Sequence, residues 1–398
     1  MLTMIHDNPV FVRDDRLLVD RKFHDGMQMY CRRLQVPICT VNPISADLSN
    51  AIDIIEVPLS EAGYSVLALA SNSHGLSDGD AAALRETISQ STLIYGNPND
   101  FGWQHIARRL RKPYIMMLEY DLDTRFRIIL AEPSSVLRKA LRATKSVLRY
   151  FLRDMSSARE AYEVHCNGYP IYQATRNWAR RRLLYLDSRL REDDIISETQ
   201  LESRLALRSG RPLKLLFSGR YEPLKGASDV VKTAVSCLRQ GHDIELHCYG
   251  RGSLKAEMEQ LAAQAPIRGR IHIHDAVPFP ELMAIAKTCD AFVCCHIQND
   301  PSCTYLESFG CGLPVAGYEN RMWKGLLAAS GGGIGVPLGD VSALTESIRR
   351  LISDAALLEE TSKKARAFAS AHAFEKEFDL RVSALRAALS HFNSEAAR

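Results

Sequence analysis

Residues 213–241 read LKLLFSGRYEPLKGASDVVKTAVSCLRQG, an apolar run that breaks at a glycine, crosses a short cationic connection and resumes with helical spacing. LKLLFSG (213–219) reads as a buried strand. Val230, Val231, Ala234, Val235 and Leu238 then recur at the 3.6-residue period, with Ser228 or Asp229 able to cap the helix and Gly241 able to end it. The pattern repeats downstream. DIELHCYG (243–250) is followed by LKAEMEQLAAQ (254–264), and RIHIHDAV (270–277) by PELMAIAKTC (280–289) and DAFVCCHI (290–297). Strand and helix units in succession predict a parallel, doubly wound α/β domain.

The same alternation is weaker upstream, with strands expected at SVLALA (65–70), STLIYG (91–96), PYIMMLEY (113–120) and LLYLD (183–187), and a helix at FGWQHIARRLRK. A chain of 398 residues exceeds what one core usually serves, so a second α/β domain is expected. The charged segment Ser188 to Pro212 is the natural connection. This gives an N-terminal domain over 1–190, a C-terminal domain over 191–372 and a closing helix within 373–398.

A composition that is 46% hydrophobic and 24% charged, with a net charge of +3, gives no electrostatic case for nucleic acid. The ten cysteines form no CxxC pair and no His/Cys spacing suited to zinc, which fits a reducing cytoplasm. No signal pattern opens the chain, and no apolar run approaches about 18 residues.

Ligands of doubly wound sheets sit where strands end. After the first strand, Gly219 permits close backbone approach, and Arg220 and Lys225 offer two cations suited to a diphosphate: a bidentate guanidinium and a mobile ammonium that stabilise charge on a departing phosphate. Further on, NDPSCTYLESFGCGLPVAGYEN (299–320) places Ser302 as a helix N-cap, with free amides near Cys303 and Thr304 facing phosphate. Glu307, one turn inside, suits a vicinal diol such as ribose. Gly310 and Gly312 are expected to let the strand LPVAGY approach.

Taken in order, LLFSGRYEPLKGASDVVKTA, LHCYGRGSLKAEMEQL, IHIHDAVPFPELMAIAKTCDAFV, ESFGCGLPVAGY and GIGVPLGDVSALTESIRRLI resemble the donor-binding domain of the family-4 (group 1) glycosyltransferases, in particular bacterial surface-polysaccharide enzymes. The resemblance spans about 160 residues, its specificity resting on five motifs in order. It implies an α/β fold of the GT-B type, two Rossmann-like domains facing each other across a cleft. It implies a UDP- or GDP-linked sugar as co-substrate, no cofactor or metal, and transfer with retention to a hydroxyl of a glycan or lipid-linked glycan. Arg220 and Lys225 would hold the diphosphate and Glu307 the ribose, while Ser302, Cys303 and Thr304 meet phosphate and sugar. Many members carry a glutamate eight positions before the one matching Glu307; here Asn299 stands there, a residue that can orient a hexose but cannot ionise, so that glutamate's role is performed without ionisation or passes to Asp300.

In the N-terminal half, VDRKFHDGMQMY (19–30) resembles the family's glycine loop, with Gly26 the residue for close approach to phosphate. The strand where relatives carry a histidine ends here in Glu119, Tyr120 and Asp121, leaving Glu119 to contact the acceptor. EVHCNGYPIY and LLYLDSR resemble a subset of polysaccharide transferases, making His165 and Asn167 cleft-edge candidates. Asp78-Gly79-Asp80 and Asp121-Leu122-Asp123 fit a manganese-binding triplet of a different transferase fold, but such triplets are frequent by chance. GGGIG (331–335) lacks the following Lys-Ser/Thr of a phosphate loop and is expected to be a turn.

LRKALRATKSVLRYFLRD (137–154) alternates leucines at helical spacing with six cations, an amphipathic helix suited to anionic lipid or, alternatively, to a core with a solvated outer face. The expected location is cytoplasmic, with peripheral contact on the inner membrane face. A nucleotide-sugar epimerase of the same fold, or a non-catalytic nucleotide-sugar-binding subunit, would use the same donor residues.

Overall fold

The computed structural model describes residues 1–45, 54–72, 75–98, 101–132, 134–208 and 210–396. Two parallel sheets organise the chain. Across the N-terminal sheet the strands run Arg182–Tyr185, Glu163–Asn167, Tyr114–Leu118, Leu93–Gly96, Leu2–Ile5, Ile38–Pro43 and Ser65–Leu69. The C-terminal sheet runs Ile271–His274, Ile244–Tyr249, Leu213–Ser218, Ala291–Cys294, Val315–Tyr318 and Gly333–Val336. Numbered within its domain, this second order is 3-2-1-4-5-6, the doubly wound topology, with its crevice where Leu213–Ser218 meets Ala291–Cys294. The first sheet reverses likewise, between Leu2–Ile5 and Leu93–Gly96.

The central strands are buried on both faces, which removes the alternation that marks a half-exposed strand. Leu2, Met4, Ile5, Leu93, Ile94 and Tyr95 are all fully buried. A small antiparallel sheet, Phe11–Arg13, Arg16–Asp20 and Ile54–Pro58, is added to the N-terminal domain.

The connection after Tyr185 is partly helical. Ser197 caps the helix Glu198–Ala206 in a reciprocal capping box with Gln200. This helix docks on the C-terminal domain: Leu201 is buried, and the Arg204 guanidinium donates to the carbonyls of Cys311 (2.7 Å) and Gly312 (2.6 Å). Here the expected role of two glycines changes. A Cβ on Gly310 would lie 2.6 Å from the Leu190 side chain and one on Gly312 2.9 Å from Leu201, so these glycines admit the connection between domains, not the next strand. The helix Phe374–Ala396 returns to the first domain, where Phe378, Val382, Leu385 and Leu389 share a core with Tyr30 and Leu34; residues 397 and 398 of the expected helix lie outside the described residues.

GGGIG is not one turn. Gly331 closes the helix Arg321–Ser330 in the left-handed region, and Gly333–Val336 forms the edge strand.

Candidate functional site

The carboxyl ends of the two sheets face each other, and polar side chains span them. Asp121 and Asp123 follow Tyr114–Leu118. Arg321, which opens the helix after Val315–Tyr318, reaches Asp121 at 2.9 Å, and Asn299 donates to Asp123 at 2.5 Å. The Asn299 carbonyl accepts from the Arg321 backbone N–H at 2.9 Å. Asn299 therefore stands at the domain junction with both ends of its amide engaged by protein.

The Asp121-Leu122-Asp123 triplet is spoken for in the same way. Asp121 is buried and caps the helix Leu122–Ala131 through the Thr124 N–H at 2.8 Å, while Asp123 also pairs with Arg127 at 2.9 Å. In the other triplet, Asp80 accepts from Ser77, the cap of the helix Asp78–Gln90.

Arg220 lies exposed just past Leu213–Ser218. Lys225 is buried and pairs with Asp300 at 3.0 Å. Gly226, in the left-handed region, starts the helix Ala227–Arg239, and a Cβ there would overlap the Cys295 carbonyl at 2.0 Å; only glycine lets the Lys225 turn sit against the neighbouring strand's end. Gly219 has an extended, positive φ of 152° and leads into Arg220.

Glu307 is 4% exposed. Its Oε1 accepts from Arg189 Nε at 2.8 Å, and its Oε2 is buried with no partner among the described residues. A carboxylate oxygen seldom gives up water without a replacement, so Oε2 calls for a donor that the described residues do not supply. Ser302 is not the N-cap expected of it: the helix is Thr304–Gly310, the cap position is Cys303, and the Ser302 hydroxyl bonds that of Thr304 at 2.9 Å. Cys303 is part-buried, donates towards the Asp187 carbonyl at 3.6 Å, and burial pushes its thiol up to about 12.

On the opposite side, Glu119 accepts from Asn167 Nδ2 at 2.9 Å, and the Asn167 carbonyl accepts from the Asp187 N–H. Crowding by protein holds the Glu119 carboxyl above the usual carboxylate range; the Asn167 bond opposes this, and Asp187, Asp7 and Asp300 add to it. Asn167 is thus a buried support for Glu119. His165 is not at the cleft edge. It is fully buried between the Tyr95 hydroxyl (3.1 Å) and Glu163 (3.2 Å), and burial lowers its pKa.

Gly26 also departs from expectation. It lies within the helix Arg21–Leu34, capped by Asp20, and no loop forms there. The segment that does follow the first strand begins at His6, whose Nε2 is buried without a partner among the described residues and whose pKa burial lowers to about 4. A glycine signature misses this position because it contains none. His296 was missed too. It follows Ala291–Cys294, is 1% exposed with neither ring nitrogen partnered among the described residues, and its pKa is held well below the usual histidine value by burial and then by the charges of Lys225 and Arg220.

Residues 200–368 match the model of the family described as glycosyl transferases group 1. Among curated proteins, a 2-deoxystreptamine glucosyltransferase of Streptomyces kanamyceticus is 25% identical over 166 residues, 39% of this chain and 41% of that protein. A D-inositol 3-phosphate glycosyltransferase of Xylanimonas cellulosilytica is 28% identical over 190 residues, 46% of this chain and 43% of that protein. The matches thus span about two fifths of these relatives. Among solved structures, Anabaena HepE in complex with UDP superposes with a TM-score of 0.64 over 97% of this chain and 99% of that one, at 15% identity. That likeness shows the GT-B fold.

Proposed function

We propose that the chain is a retaining glycosyltransferase that moves a sugar from a UDP- or GDP-linked donor to a hydroxyl of a glycan or lipid-linked glycan in surface polysaccharide synthesis, without a metal. The observation that carries this reading is the Glu307 Oε2, buried and without a partner among the described residues, inside the segment that matches the group 1 family and on the same sheet end as Arg220 and Lys225. A ribose diol supplies the missing donors. The HepE structure, which holds UDP, supports a uridine nucleotide as the first ligand to try.

In this reading the bond from the sugar's anomeric carbon to the β-phosphate oxygen breaks, and the acceptor oxygen bonds that carbon from the same face. The acceptor proton passes to the departing phosphate. Arg220 and Lys225 stabilise the charge that grows there, with Asp300 holding Lys225 until phosphate competes for it. Asn299 orients the hexose only if the donor displaces Asp123 from its amide, and Glu119 faces the acceptor.

The segment 137–154 supports a peripheral position on anionic lipid at the cytoplasmic face. No described helix is long and apolar enough to cross a membrane. Instead, Val136–Leu148 and the π-helical turn Arg149–Met155 present Leu137 (73% exposed), Leu141, Leu148, Phe151 and Leu152 (72%) to solvent beside Arg138, Arg142 and Lys145. Such a surface is apolar and cationic at once, as a lipid-facing helix requires. Sedimentation with vesicles tests this: pelleting should require anionic lipid, and equal pelleting with neutral vesicles would remove the electrostatic part.

The enzymatic proposal is tested by screening nucleotide-sugars for slow hydrolysis, then adding glycan acceptors and reading the anomeric proton of the product. Retention with release of nucleoside diphosphate is expected. A new nucleotide-sugar formed without acceptor would make the chain an epimerase, and affinity without turnover would make it a binding subunit.

A further inference from the structure

Strand Ile244–Tyr249 pairs in parallel with the edge strand Ile271–His274, with His247 directly opposite His272 and Tyr249 opposite His274. Side chains alternate along a strand, so Glu245, His247 and Tyr249 share one face with His272 and His274, while Leu246 and Cys248 turn to the core. We propose that Glu245, His247 and His272 form a binding site for a divalent transition metal ion of the zinc type. It is hidden from sequence spacing because its ligands come from two strands.

The donor atoms of the three side chains all lie within 4.8 Å of one another. Glu245 Oε1 is 2.9 Å from His247 Nε2 and 3.4 Å from His272 Nε2. Bonds of about 2.0–2.1 Å in a tetrahedral zinc site put neighbouring ligand atoms about 3.4 Å apart, so the triangle is near the size required. The two imidazoles stack at 4.6 Å between centroids, 11° from parallel, so both rings must turn about their Cβ–Cγ bonds for their in-plane lone pairs to meet at one ion. His272 Nε2 is buried with no hydrogen-bond partner among the described residues, an unmet need that a metal fills.

His274 completes the arrangement. Its Nε2 lies 3.4 Å from His247 Nδ1. When a metal takes His247 Nε2, the ring proton moves to Nδ1, where His274 accepts it and fixes the tautomer. The side chains remain 20–33% exposed, leaving a path for the ion and a fourth position for water. Lys214, opposite Glu245 in register on the other neighbouring strand, is a cation placed to compete with the ion for that carboxylate. The site lies about 10 Å down the strand from Gly250 at its carboxyl end, at about 3.3 Å per residue, so it would staple the sheet edge and take no part in transfer at the cleft.

The test is titration of ZnCl2 into the untagged full chain after dialysis against EDTA, read by calorimetry and by thermal unfolding. One equivalent should bind and raise the midpoint. His272→Ala and the near-isosteric Glu245→Gln should each bind at least about 100-fold more weakly, with midpoints unchanged by zinc. A Cys31→Ser/Cys303→Ser variant should bind as the parent does, which excludes the accessible thiols. Absence of binding to the parent chain, or equal affinity in Glu245→Gln, overturns the site.

Discussion

Replacing Glu307 by glutamine tests the ribose contact while leaving the shape of the side chain intact. In the parent chain Oε1 is held by Arg189 at 2.8 Å and Oε2 has no donor among the described residues. Glutamine keeps one oxygen but puts an amide in place of the other, so a sugar hydroxyl that donated to a charged acceptor loses it. A hydrogen bond to a charged group contributes about 1.5–3 kcal/mol, which corresponds to nucleotide affinity weakened roughly 10- to 150-fold. The fold should feel much less. The Arg189 side chain is 50% exposed, and an ion pair so placed contributes about 0.2–1 kcal/mol, partly offset by relief of the buried, half-satisfied carboxylate. Calorimetric titration with UDP, paired with thermal unfolding of Glu307→Gln and Arg189→Ala, separates the effects. Glu307→Gln should lose affinity with little loss of stability, and Arg189→Ala should keep its affinity. If Glu307→Gln binds UDP as well as the parent but melts earlier, Glu307 serves only to anchor the connection between domains and the ribose contact is wrong.

Arg220→Ala and Lys225→Ala should each lower kcat by about 100- to 1000-fold with the fold intact, checked by donor hydrolysis and circular dichroism; near-parent rates would remove their role in stabilising the leaving diphosphate. Because the folded Glu119 carboxyl binds its proton more tightly than the unfolded chain does, stability should fall as pH rises from the ordinary glutamate value to its raised one. Glu119→Gln, which can still accept from Asn167, should therefore melt higher than the parent at pH 7, with the difference vanishing near pH 4. Donor hydrolysis should survive excess EDTA, and strict dependence on added Mn²⁺ would count against the roles given to Arg220 and Lys225.

The C-terminal domain was legible because its units are long and punctuated: Gly219, Gly226 and Gly241 fall at element boundaries, and the helix Ala227–Arg239 shows its period openly. The strands Leu2–Ile5 and Ile38–Pro43 escaped notice because both lie almost wholly inside, so LTMI and ICTVNP carry no alternation. The helix holding Gly26 was obscured by composition. Its apolar residues Met27, Tyr30 and Leu34 are spaced correctly, but a glycine in a charged setting resembles a loop, and the Asp20 cap decides otherwise.

At the site, the sequence could point to Arg220, Lys225 and Glu307 one by one, since each follows a recognisable strand. It could not show that Asp300 reaches Lys225, or that Asn299 and Arg321 tie the second domain to Asp123 and Asp121, because these contacts join distant parts of the chain. Nor could it separate a cleft histidine from a core one. His165 and His296 both end buried, but only His296 keeps two unpartnered ring nitrogens beside the cations.

The most direct measurement is ³¹P NMR of the chain incubated with UDP- and GDP-linked sugars and a glycan acceptor. Release of nucleoside diphosphate, seen as a new terminal phosphate resonance that grows with the parent chain and stays at background with Lys225→Ala, is the result expected. Unchanged donor resonances across the series, or a second nucleotide-sugar appearing with no free diphosphate, would contradict the account.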